Sequence, residues 1–256
     1  MSFNLNERAV TVADIARQAG AIAQQHRRQG LEIDNKGVQD FVTQADRAVE
    51  SLISDQLLAH YPEEGIFGEE HQPRNSDAGT WVIDPIDGTT NYIKGMDYWC
   101  ISIAFVYNNE ILLGCVYAPD KDALYLAIKD QGVTLNGKKL AKLADVSPHK
   151  AVIGIGRSNR CEFSGYLAAV EFLHQQSIDY RRFGSAALTL AQVASAEVDG
   201  YYEAHLNSWD ACAGWLIASE AGANCAQFMT DGALEKGNRA LVSNSTFFEQ
   251  LDAHCV

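Results

Sequence analysis

Apolar positions Val10, Ile15, Ala19, Ile22 and Ala23 recur near helical spacing between residues 5 and 28, and Gly30 ends the pattern. A second helical stripe runs through 44–59, where Ala48, Val49, Leu52, Ile53 and Leu57 share one face and Tyr61-Pro62 closes it. Strand-like runs follow at 98–107, 110–118 and 122–128. Asn108-Asn109 and Pro119-Asp120 supply the turns of an antiparallel meander, and Leu135-Asn136-Gly137-Lys138 is a further hairpin signal. From about residue 150 the rhythm becomes alternating. Strands at 151–155, 179–183 and 199–203 precede helices at 162–176, 185–197 and 209–221, and strands at 224–228 and 239–243 lead to a helix at 244–253. An antiparallel half, 1–149, and an alternating half, 150–256, predict two sheets layered with helices in an α/β (α+β) chain. No repeat, low-complexity segment or linker separates them, so 1–256 reads as one unit.

One segment breaks this regularity. Thr80-Trp-Val-Ile-Asp84-Pro85-Ile86-Asp87-Gly88-Thr89-Thr90-Asn91 delivers two carboxylates to a Gly-Thr-Thr turn. Val82 and Ile83 read as the end of a buried strand that Pro85 stops from pairing further. Gly88 permits a tight turn, and Thr89 or Thr90 is placed to open a helix. Hard oxygen ligands beside free helix N–H groups suit a divalent cation and a phosphate sharing one site. Alone, the segment also reads as an ordinary acidic turn. Two further clusters favour chemistry: Ile66-Phe67-Gly68-Glu69-Glu70 ends an apolar run in carboxylates, and Trp209-Asp210-Ala211-Cys212-Ala213-Gly214 puts an Asp at the start of a helix. Oxygen-only ligands at Glu69, Asp84, Asp87 and Asp210, with no His or Cys set nearby, favour Mg²⁺ over zinc.

Composition narrows the partners. With 20 Lys+Arg against 33 Asp+Glu, the 256 residues carry −13, which repels nucleic acid and anionic membrane. No run of about eighteen apolar residues marks a membrane span, and Met1-Ser-Phe-Asn-Leu-Asn-Glu-Arg lacks the plan of a signal peptide. The six cysteines, Cys100, Cys115, Cys161, Cys212, Cys225 and Cys255, are scattered, which predicts reduced thiols and a cytoplasmic protein.

Together, Asp-Pro-Ile-Asp-Gly-Thr-Thr-Asn, Trp-Asp-x-x-Ala-Gly and the earlier Gly-Glu-Glu resemble the inositol monophosphatase family, the lithium-sensitive, magnesium-dependent phosphomonoesterases. The resemblance implies a layered α-β-α-β-α sandwich of the sugar-phosphatase type and a homodimer. It implies two to three Mg²⁺ ions per site. Glu69, Asp84 and the Ile86 carbonyl hold the first; Asp84, Asp87 and Asp210 hold the second; a weaker third lies near Glu69. Glu70 then stands behind the ligands or at the surface. The Thr89 hydroxyl touches the nucleophilic water, Asp46 pairs with Thr89, and the Gly88 and Thr89 amides hold the phosphate. Gly184-Ser185-Ala186 lines the substrate face, Glu203 meets substrate hydroxyls, and Lys36 corresponds to a hairpin lysine. His71 and His205 read as surface residues, and Trp99, Trp209 and Trp215 as core.

The implied activity is hydrolysis of inositol 1-phosphate or a similar small polyol phosphate by metal-activated water. Histidinol phosphate, fructose 1,6-bisphosphate and adenosine 3′,5′-bisphosphate are the alternatives within the superfamily, because Tyr92-Ile93-Lys94-Gly95-Met96-Asp97 departs from the usual continuation of the signature. A haloacid-dehalogenase-type phosphatase needs an Asp two positions before Asp87, where Pro85 stands. A regulatory binding protein on the same fold, contacting RNA or a polymerase, is the reading from a different class. The apolar run Tyr98-Trp99-Cys100-Ile101-Ser102-Ile103 fits either a subunit contact or the core.

Overall fold

The structure, a computed structural model, describes residues 3–31, 33–37, 40–244 and 248–254, with backbone alone at 33–37, 40–42 and 254. Helix α1 (Leu5–Gln29) starts at Asn4, whose side chain accepts the Glu7 amide at 3.2 Å, and ends at Gly30 with φ +98°. Its stripe Val12, Ile15, Ala16, Ala19 and Ala23 is buried. Val10 is not part of that stripe. It lies about 140° around the helix from Ile15 at 100° per residue and is 65% exposed. A hairpin, β1 (Ile33–Gly37) and β2 (Asp40–Thr43), leads into α2 (Gln44–His60). Lys36 is on this hairpin, and its side chain lies outside the described residues.

The larger sheet has seven strands in sequence order: β3 (Gly65–Gly68), β4 (Thr80–Asp87), β5 (Cys100–Tyr107), β6 (Glu110–Ala118), β7 (Ala123–Ile128), β8 (Gly132–Leu135) and β9 (Lys138–Lys139). All neighbours are antiparallel except β3 and β4, which run parallel because the connection between them crosses from one end of the pair to the other. Asn108-Asn109 and Asn136-Gly137 turn two of the hairpins with both φ values positive, as the twist of paired strands favours.

The second sheet is mixed, in the order β11 (Asp179–Arg181), β10 (Val152–Ile155), β12 (Gly200–Leu206), β14 (Asn238–Ser243), β13 (Asn224–Cys225), with the first three parallel. Helices α4 (Phe163–Gln175), α5 (Ala186–Ala194), α6 (Ser208–Glu220), α7 (Ala233–Lys236) and α8 (Phe248–His254) connect or follow these strands. The residues expected to open the last helix, 245–247, and Cys255 lie outside the described residues. Strands β11 and β13 stop short of the predicted spans, and α7, a single turn between Gly232 and Gly237, carries no periodic signal from which to predict it.

Alternation along β5 explains the layering. Ile101, Ile103 and Phe105 pack with α1 and α2, whereas Cys100, Ala104 and Val106 pack with α5 and α6. A strand buried on both faces reads as an unbroken apolar run. The stretch from Trp99 to Ile103 is therefore core, not a subunit contact. Beyond the second sheet, α4 and α8 form the outer layer with Ile153, Ile155, Tyr202 and Leu241. The layers are α-β-α-β-α.

Helix α6 lies in the middle layer and is buried nearly all round. Its Ala-Gly step serves close packing: a Cβ on Gly214 would stand 2.5 Å from Leu190 Cβ, and one on Gly114 of β6 would stand 2.6 Å from the Ala213 carbonyl. Trp99 is fully buried, and Trp209 and Trp215 pack against the core with part of each ring accessible. Among the described residues no helix is long and apolar enough to cross a membrane.

Candidate active site

Asp84 and Asp87 are three residues apart, and on a regular strand they would face opposite sides of the sheet. They do not, because β4 carries a bulge. Asp84 pairs with Ser102 and Asp87 with Cys100, so three steps on β4 match two on β5. The extra residue reverses the phase and aims both carboxylates to one side. Strand β4 therefore runs on to Asp87 instead of stopping at Pro85. Proline has no amide to give a ladder, and the bulge is where that costs least. Gly88 follows with φ +97°, and a Cβ there would press on the carbonyls of Tyr98 and Gly184. Thr89 then opens the short helix α3 (Thr89–Ile93).

Two other elements converge on this bulge. Ser102, beside Asp84 in the sheet, donates its hydroxyl to the Trp209 carbonyl at 2.9 Å and fixes the start of α6. Asn207 caps that helix, and its amide and side-chain nitrogen donate to Asp210 Oδ2 at 3.2 and 3.1 Å. The start of α5 meets Asp87, which accepts the Ser185 hydroxyl at 2.6 Å and the amides of Ala187 and Ala186 at 2.7 and 3.2 Å. One carboxylate oxygen from each of Asp84, Asp87 and Asp210 lies within 4.8 Å of the others.

Such crowding is unfavourable without a cation. Burial, then Glu69, Asp87 and Asp210, push the Asp84 carboxyl well above the usual range. Burial and the Asp87 charge carry Asp210 to about 7. Asp87 is raised by burial, partly offset by its bonds from Ser185 and α5. Buried carboxylates need compensating charge, and no Lys or Arg belongs to the triad. Three hard oxygens at this spacing fit a divalent ion of the Mg²⁺ type. Cys100, 3.7 Å from Asp87, is no competing nucleophile, because burial and the two aspartates hold its thiol protonated.

Glu69 is not in the tight set. It is partly exposed at the end of β3, near enough for its charge to raise Asp84. The Thr89 hydroxyl donates to the Ile86 carbonyl at 3.1 Å and lies 3.5 Å from Asp46. Asp46 also accepts the Thr43 amide and hydroxyl at 2.8 and 2.6 Å, the reciprocal cap that begins α2, and burial raises its pKa.

A carboxylate absent from the sequence reading controls the Glu69-Glu70 turn. Glu50, fully buried on α2, accepts the amides of Glu70 and His71 at 2.8 and 2.9 Å and faces His71 Nδ1 at 2.9 Å. It packs so closely on Gly68 that a Cβ there would stand 2.2 Å from its Oε1. His71 is thus tied to Glu50, and His205 Nε2 meets the Lys236 carbonyl at 2.8 Å.

Beside the triad is a cavity of about 290 Å³ lined by residues that include Asp87, Gly156, Ser185, Glu203 and Asp210, together with Arg157 and Arg182. The Tyr201 hydroxyl donates to Glu203 Oε2 at 2.6 Å, and burial carries Glu203 to about 8. Asn91, the last residue of the signature, donates to the carbonyls of Tyr98 and Phe183, both at 2.7 Å, and stitches the turn at Gly88 to the loop before α5. Neither this link nor the two arginines had any local signal in the sequence.

Known proteins share this arrangement of chain and fold. The chain is 37% identical over 198 residues to an inositol-1-monophosphatase of Rhizobium meliloti, covering 76% of this chain and 74% of that one. It is 36% identical over 217 residues to a Nus factor SuhB of Xylella fastidiosa, covering 83% and 79%. The extragenic suppressor protein suhB of Bartonella henselae superposes with a TM-score of 0.88 at 29% identity over 96% of both chains. With a match that runs from residue 4 to residue 254, the chain belongs to the inositol monophosphatase family of phosphomonoesterases.

Proposed function

We propose that this protein is a Mg²⁺-dependent phosphomonoesterase acting on inositol 1-phosphate or a similarly small polyol phosphate. The observation that carries the reading is the triad of buried Asp84 and Asp87 with half-buried Asp210, within 4.8 Å, beside the cavity. Glu69, Asp84 and the Ile86 carbonyl would hold one ion, Asp84, Asp87 and Asp210 would hold another, and Glu69 would serve a weaker third. Bound Mg²⁺ supplies charge neutralisation at the phosphoryl group and a lowered pKa for water. Thr89, anchored between Asp46 and the Ile86 carbonyl, orients the attacking water through its hydroxyl. The Gly88 and Thr89 amides receive a phosphate oxygen, while Ser185, Ala186 and Glu203 face the alcohol. Glu203 already accepts the Tyr201 hydroxyl, which fixes its carboxyl towards the cavity.

A panel of inositol 1-phosphate, histidinol phosphate, fructose 1,6-bisphosphate and adenosine 3′,5′-bisphosphate tests the substrate. The relatives that bear the name Nus factor support a second reading, a regulatory role. A folded protein that releases no phosphate from any of the four in Mg²⁺ would favour it.

Glu50→Gln tests the support of Glu69. The amide can still accept one N–H but must turn its NH₂ towards another donor, which loosens the Glu69-Glu70 turn. Calorimetric Mg²⁺ titration is expected to show affinity about tenfold weaker or worse. Unchanged Mg²⁺ affinity in a folded variant would limit Glu50 to packing.

A homodimer belongs to the same reading. Phe163 and Leu167, one turn apart on α4, are exposed beside edge strand β11, which carries the partly exposed Tyr180. Light scattering that returned a 28.0 kDa particle at micromolar concentrations would remove the dimer.

A further inference from the structure

The three parallel strands of the second sheet end at the same edge, where ligands of such sheets gather. Just past its end β10 delivers Arg157, β11 delivers Arg182, and β12 carries Glu203. All three residues line the cavity that holds Asp87 and Asp210. Glu203 is absorbed by the proposed reaction, but the arginines are not.

Five guanidinium groups elsewhere in this acidic chain find carboxylates: Arg8 with Glu64, Arg17 with Asp122, Arg27 with Asp120, Arg181 with Asp179 and Arg239 with Asp252. Among the described residues neither Arg157 nor Arg182 has a carboxylate within 4.0 Å, although the chain has 33 acidic residues to offer. Arg157 is instead held over the Phe163 ring, its guanidinium carbon 5.1 Å from the centroid. This stacking fixes the plane of the group while leaving its N–H edge for a ligand. Two guanidiniums without an ion pair, both lining one cavity, match the geometry of phosphate, which accepts paired N–H bonds.

We infer that Arg157 and Arg182 form a second phosphate subsite, and that the preferred substrate is a bisphosphate: one phosphate is cleaved at the aspartates while the other is held, uncleaved, at the arginines. This rests on the proposed phosphatase reading for the cleaved group only. A polyol monophosphate would leave both arginines unused and is accordingly the poorer substrate.

The test compares pairs with a common body: inositol 1,4-bisphosphate against inositol 1-phosphate, and fructose 1,6-bisphosphate against fructose 1-phosphate. In the wild-type protein with Mg²⁺, kcat/KM is expected to favour the bisphosphate of at least one pair by about tenfold or more, through KM. The double variant Arg157→Gln/Arg182→Gln brings that ratio to about one, and the Lys pair restores part of it because charge remains while the paired geometry is lost. Calorimetric binding of the same pairs in EDTA reads the arginines without turnover and shows the same preference. Turnover of bisphosphate and monophosphate with equal kcat/KM in both pairs, or equal losses on both in the Gln variant, would overturn the subsite and leave the phosphatase standing. Preserved binding preference without any phosphate release would do the reverse.

Discussion

Asp84→Asn is expected to reduce phosphate release by about a thousandfold or more, and to make the metal-free protein more stable. Both effects come from its central position. Asp84 feels Glu69, Asp87 and Asp210 at once, and in the proposed mechanism it serves two ions. Metal-supplied charge stabilisation is worth several kcal/mol at the transition state, and about 4 kcal/mol is a thousandfold in rate. Without metal the same carboxylate is a liability. An Asn of equal size still accepts the Ile86 amide, which bonds Asp84 Oδ1 at 2.9 Å, and it removes a carboxyl whose ionisation burial and its acidic neighbours oppose. Melting in EDTA is expected to rise by about 3 °C or more. Glu70→Gln, which lies outside the aspartate triad, loses far less, about ten- to a hundredfold at most. Equal activity losses in the two folded variants would show that the Gly-Glu-Glu residues had been given the wrong roles.

Metal-free protein is expected to lose stability steadily as pH rises from about 5 to 8. The folded state raises Asp210 from 3.8 to about 7, Glu203 from 4.5 to about 8, and Asp84 and Asp87 in the same direction. In this window the folded protein binds more protons than the unfolded chain. The stabilisation is fully present below the unfolded values and is lost as pH passes through the folded ones. Asp120 and Asp179 are shifted down, so their opposite contributions act below the window. Mg²⁺ should reverse the trend, since ligands must lose their protons to bind it. Thermal melts in EDTA at pH 5, 6, 7 and 8 check this. A melting temperature that is level or rises across the series would mean that the carboxylates are ionised in the folded protein without a cation. Asp210→Asn should flatten the slope.

Local patterns made most of the elements legible, because helical stripes, strand runs and Asn-Gly turns act over a few residues. Asp84, Asp87 and Asp210 could be read together because each ends or begins an element. The bulge that aims Asp84 and Asp87 to one side could not, since it exists only in the pairing of β4 with β5. Pro85 marks the irregularity, but the strand continues past it to Asp87. Glu50 looked like a polar residue within α2, and its partners lie about twenty residues away. Val10 fits a loose helical pattern, but the buried stripe runs through Ala9, Val12 and Ala16, and only packing against the sheet decides between them. The apolar run after the signature left core and interface equally open until burial on both faces of β5 placed it in the core.

The most direct test of a metal-dependent phosphatase at this triad is phosphate release from inositol 1-phosphate, and from each substrate of the panel, by protein stripped with EDTA and then resupplied with Mg²⁺. Release on at least one substrate should be undetectable after stripping and return with Mg²⁺. Stripped protein that hydrolysed its best substrate as fast as the resupplied protein would contradict the metal chemistry assigned to Asp84, Asp87 and Asp210.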